Sequence, residues 1–79
     1  MKKSDFLKEM QDMLEITSVD KLEEDTVIRQ LAEYNSLFVL SIIAFVDDSF
    51  GVQLSAEQLA NLTTIKSLME LIGNDKFED

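Results

Sequence analysis

Few residues in this chain have the chemistry to act. It contains no His and no Cys, which removes the commonest general base, the commonest metal ligand and any internal thiol nucleophile. Carboxylates and hydroxyls remain. Asp47-Asp48 lie just before Gly51, but counting back from that glycine in the EF-hand pattern puts Val46 where the first Asp belongs. The pair reads as the solvated end of a helix with weak affinity for cations, and no metal site is expected. Glu23-Glu24-Asp25 offers paired carboxylates, yet nothing apolar surrounds them to raise a pKa, so the reading is a solvated charge run. No nucleophile–base pair can be assembled from this inventory, and an enzyme is not expected. Ser36 is the residue of interest. Taken alone, it is a serine at a helix start and reads as an N-cap. Its neighbours change that: Leu37, Leu40 and Ala44 share its face, outside the main core arc, with Asp47 and Asp48 beside them. An exposed apolar stripe edged with acid suggests a docking surface. The segment between Gln30 and Ile65 carries four acidic residues and no basic one, which gives that surface its sign.

The elements that must position Ser36 follow from hydrophobic period and caps. Phe6, Leu7, Met10, Met13 and Leu14 share one face of a helix expected at about 5–15, with Ser4 or Asp5 as its cap. Met10, Met13 and Met69 are expected as core fillers. Residues 16–35 are less regular. Ile16, Thr17-Ser18 and Val19 weaken a helix, and Asp20 to Asp25 reads as solvated. Val27, Ile28, Leu31 and Tyr34 then allow a short helical turn, and spacing does not choose between that and a loop. From Ser36 to Phe50, the residues Phe38, Val39, Ile42, Ile43, Phe45, Val46 and Phe50 fall on one broad arc, and Gly51 stands where a left-handed C-cap is wanted. Leu40 lies beside that arc and is either a docking residue or a core residue. Val52-Gln53-Leu54 is an extended link. Ser55 and Gln58 form a capping box for a short helix at about 55–61. Thr63 or Thr64 caps a last helix at about 64–72, with Ile65, Leu68, Met69, Leu71 and Ile72 inside and Gly73 as its stop. The charged tail, Asn74 to Asp79, is expected to fray.

Composition sets the frame. At 79 residues with two Gly and no Pro, the chain has room for one domain, 1–79, and argues against a sandwich rich in turns. With 46% apolar residues it has enough for a core. A net charge of −9 repels phosphate backbones and anionic lipid, so neither nucleic acid nor a membrane surface is an expected partner. The longest apolar run, Ile42 to Val46, is too short to span a bilayer, and Met1-Lys2-Lys3-Ser4-Asp5 opens no signal peptide. A cytoplasmic monomer is expected.

At this point the residues resemble a family. Leu31-x-x-Tyr34-Asn35-Ser36-Leu37, a long helix ending in Phe50-Gly51-Val52, Leu54-Ser55 through Leu59, and Leu62-Thr63-Thr64-Ile65-x-x-Leu68-x-x-Leu71-Ile72 together look like the acyl carrier proteins. The serine motif alone is weak; the whole set covers the chain from the first helix to Ile72. The resemblance implies an all-α, four-helix bundle with a long first loop and a short third helix. It implies 4′-phosphopantetheine, taken from coenzyme A, attached to Ser36, and acyl intermediates held on it as thioesters for fatty-acid, polyketide or related synthesis. The implied partners are a phosphopantetheinyl transferase and acyl-loading and acyl-processing enzymes, docking on Leu37, Leu40, Ala44, Asp47 and Asp48. This chain departs from the family pattern in having Asn35 where Asp is usual, and Phe38 and Ser41 where acidic residues are common. The alternative is an unmodified carrier-like bundle acting as an interaction or regulatory module.

Overall fold

Four α-helices follow one another in the computed structural model, which describes residues 1–78: α1 (Lys3–Met13), α2 (Ser36–Phe50), α3 (Ala56–Ala60) and α4 (Ile65–Ile72), with 3-10 turns at Ile28–Gln30 and Asn74–Lys76. The described residues contain no strand, only an isolated antiparallel bridge between Val27 and Thr64. The class is all-α. The fold measures 30 × 27 × 19 Å, and no helix among the described residues is long and apolar enough to cross a membrane.

Three of the helix limits follow from caps written in the sequence. Gly51, at φ 68°, adopts the left-handed conformation that ends α2, and its amide bonds back to the Asp47 carbonyl. Ser55 and Gln58 form the expected reciprocal box at the start of α3. At α4 the cap is Thr64, boxed with Ser67. The next two amides of α4 are met by the first loop, Ile65 N–H donating to the Thr26 carbonyl at 3.1 Å and Lys66 N–H to that of Glu24 at 2.8 Å. The long connection is thereby stitched to α4, since buried helix-end amides need acceptors.

α1 corrects the expected cap. It begins two residues earlier than expected, after Lys2, and no side chain caps it; Ser4 and Asp5 sit inside the first turn. The cause is tertiary. The Met1 amine donates to the Lys76 carbonyl at 3.2 Å, and the Glu78 amide donates to the Met1 carbonyl at 3.0 Å, so the chain start is held where the helix can extend back to it. Asp5 still complements the positive end of the helix dipole. α1 also stops early. Glu15 takes φ 53°, a left-handed conformation that costs a non-glycine residue about 1–3 kcal/mol.

Gln11 offsets that strain. Its side-chain amide donates to the carbonyls of Ile16 (3.3 Å), Val19 (3.2 Å) and Asp20 (3.1 Å), and its oxygen accepts from Leu22 N–H at 3.1 Å. One half-buried side chain thus organises the first corner of the long loop. The Asp20 to Asp25 stretch is accordingly not solvated throughout: Leu22, at its centre, is 0% exposed. Ile16, Ile28 and Leu31 are buried too, and the short turn at Ile28–Gln30 is the 3-10 helix.

The expected arc of α2 faces inward: Phe38, Ile42, Phe45 and Val46 are buried, and Val39, Ile43 and Phe50 are half-buried against the same core. Met10 and Met69 fill that core. Met13 does not; it is 64% exposed, at the last residue of α1. The tail is a second correction. Residues 74–76 turn back, and Phe77 packs edge-on to Phe6, with ring centres 5.2 Å apart, and against Phe50 at 5.3 Å. Burying a phenyl ring outweighs the entropy that would fray the segment. Asp79 lies outside the described residues.

Candidate functional site

Ser36 is the first residue of α2, and it is exposed. It is not the cap. That role falls to Asn35, whose side-chain oxygen accepts the Phe38 amide at 2.8 Å. The Ser36 hydroxyl is therefore not needed to hold the helix end. Leu37 and Leu40 follow at 71% and 58% exposure, and Ala44, Asp47 and Asp48 are exposed along the same helix. The Leu40 alternatives thus resolve toward solvent. Exposing two leucines in a row of turns costs free energy that a folded chain usually recovers by burial. The three large exposed apolar side chains among the described residues are Leu37, Leu40 and Met13.

Met13 borders this surface. A groove of about 490 Å³ runs between the end of α1 and α2, lined by Met13, Leu14, Ser41, Ala44, Phe45, Asp47 and Asp48. The apolar stripe is thus wider than α2 alone, with acid at its lower end. Sequence periodicity placed Met13 on the core face and so missed it. Glu23, Glu24 and Asp25 stand elsewhere, around a shallow surface groove with Thr64 and Lys66. Among the described residues no group of three or more His, Cys, Asp or Glu could hold a metal ion, and no polar or charged side chain is buried.

A second feature near Ser36 left no periodic signal. Glu33, three residues earlier, reaches across to Thr17 and Ser18. Its carboxylate accepts the Ser18 hydroxyl at 2.6 Å, the Thr17 amide at 2.9 Å and the Ser18 amide at 3.0 Å, with the Thr17 hydroxyl at 3.5 Å. The Ser18 hydroxyl first, then the Thr17 amide, hold the Glu33 carboxyl below its ordinary 4.5, at about 2. A carboxyl whose pKa is depressed on folding adds stability above its unfolded pKa and loses it as pH falls through the folded one. The melting-temperature gap between wild type and Glu33→Gln is expected to be full at neutral pH and to close between about pH 4.5 and 2. Thermal melts across that window check it; a gap that ignores pH would show that the ionised carboxylate contributes nothing.

Comparison with protein-family models, curated proteins and solved structures returns no match for this chain.

Proposed function

We propose that this chain is an acyl-carrier-like protein, in which Ser36 receives 4′-phosphopantetheine and holds acyl groups for partner enzymes. The observation that carries the reading is Ser36, exposed and free of capping duty, followed on its own helix by exposed Leu37 and Leu40 in a chain that buries most other large apolar residues. The arrangement of the acyl carrier proteins, with a long first connection and a short third helix, is part of this proposal, and the helix order supports it. The site suits the group. An exposed hydroxyl in the first turn of a 15-residue helix has room for a phosphodiester, and nearby amides favour its negative charge.

In the attachment, Ser36 Oγ attacks the phosphorus of coenzyme A that bears the pantetheine. A P–Oγ bond forms and the P–O bond of the pyrophosphate breaks. Adenosine 3′,5′-bisphosphate leaves with that electron pair, and the hydroxyl proton passes to a base of the transferase. The chain has no His to supply that base. Once attached, the arm's terminal thiol supplies the acyl acceptor that a chain without Cys lacks. Leu37, Leu40 and Ala44 give partners an apolar footing, and Asp47 and Asp48 steer a basic patch toward it. The same proposal places the protein in the cytoplasm as a monomer.

The test is intact mass after incubation with coenzyme A and a broad-specificity phosphopantetheinyl transferase. One added phosphopantetheine is expected. No addition with several transferases would overturn the reading and favour an unmodified interaction module.

Partner use separates apolar contact from charge. Leu40 has more than half its surface to bury, worth about 1–2 kcal/mol, so Leu40→Ala should raise the transferase KM roughly five- to thirtyfold. Asp48→Asn removes a solvated charge worth under about 1 kcal/mol, and its smaller effect should fade with salt. Steady-state kinetics at low and high salt check both. Leu40→Ala should leave the melting temperature nearly unchanged, as exposed substitutions do.

A further inference from the structure

Resting on the carrier reading, we propose that Glu33 is a positioning residue for Ser36. Its carboxylate would tie the segment that delivers the serine to the corner at Thr17-Ser18. Three observations converge on it. The donors to Glu33 come from 15 and 16 residues upstream, so the bonds join two separate stretches of chain rather than neighbours. The corner they come from is itself fixed: Glu15 turns the chain through a left-handed conformation, and Gln11 holds the carbonyls of Ile16, Val19 and Asp20. The tethered segment leads directly into the site. Leu31 anchors its start in the core, Tyr34 lies against Phe38 with ring centres 6.3 Å apart, and Asn35 caps α2.

The physical consequence is specific to one kinetic constant. α2 is held by its buried face, so the stripe from Leu40 to Asp48 that a partner touches stays in place without Glu33. Ser36 is different, because it lies in the first turn, where helix hydrogen bonding is incomplete and the path of the preceding residues sets its pose. Loosening that path misaligns Oγ for attack on phosphorus. A misplacement of about 1 Å can cost up to a hundredfold in rate. Loss of the clamp should therefore lower kcat and spare KM, the reverse of the Leu40→Ala pattern.

The experiment compares transferase kinetics on wild type, Glu33→Gln, Ser18→Ala and Ser18→Thr, at a temperature where circular dichroism shows each fully folded. Glu33→Gln and Ser18→Ala are expected to lower kcat about tenfold or more with KM within about twofold, and Ser18→Thr, which keeps the hydroxyl, to restore most of it. Labelled wild type with unchanged kcat in the Glu33 and Ser18 variants would overturn this inference alone. So would a rise in KM without a fall in kcat. Unlabelled wild type would overturn the carrier reading, and this inference with it.

Discussion

Ser36→Ala is expected to abolish phosphopantetheine uptake entirely while leaving the bundle intact. Both halves follow from the geometry around residue 36. Loss is complete because the reaction needs an oxygen nucleophile, and Ala offers none. The other serines near the site stand differently: the Ser41 hydroxyl donates to the Leu37 carbonyl at 3.0 Å, within the helix, and Ser49 lies at the far end of α2. The fold is spared because the cap of α2 is Asn35. Alanine at the first helical position is tolerated well, so far-UV dichroism and melting temperature should match wild type. Asn35→Ala is the contrasting variant, expected to cost about 1 kcal/mol of helix stability through loss of the cap. Intact mass and melts on both variants check this. Uptake by Ser36→Ala would remove Ser36 from the role assigned to it, and its unfolding would overturn the argument that Asn35 alone holds the helix end.

Phe6→Ala is expected to remove about a quarter or more of the stability of the fold. Phe6 is 0% exposed and sits among three other phenyl rings, with centres 5.7 Å from Phe45, 5.8 Å from Phe50 and 5.2 Å from Phe77. Removing a buried phenyl costs about 3–5 kcal/mol through lost transfer energy and the cavity left behind. A domain of this size has roughly 4–12 kcal/mol in all. The melting temperature should then fall by at least about 12 °C. Because Phe77 packs on the same ring, Phe6→Ala should also release the tail, and protease cleavage after residue 73 should accelerate. Leu37→Ala, at the exposed end of the range, should move the melting temperature by no more than a few degrees. Equal losses from the two variants would mean that the aromatic cluster is not the centre of the core.

The helices, and the ends of α2, α3 and α4, were legible in the sequence because their causes are local. A period of 3.6 residues fixes which face of α2 is apolar, and Gly51, Ser55 with Gln58, and Thr64 act on amides and carbonyls within four residues of themselves. Ser36, Leu37 and Leu40 could be picked out for the same reason, as neighbours on one helix left outside its apolar arc. What the sequence could not decide was everything that depends on where the loop and the tail come to rest. Gln11 and Glu33 are ordinary polar residues until the chain brings carbonyls, amides and a hydroxyl from other segments within hydrogen-bond range. Leu22 lies in a charged run, and Phe77 near a charged end, yet both are buried by surfaces that exist only once α1, α2 and α4 have assembled. Met13 has the phase of a core residue and lacks only a partner above it. Where α1 begins, and which residue ties down the approach to Ser36, were settled by tertiary contacts, because a hydrogen bond between distant segments has no period for a sequence to display.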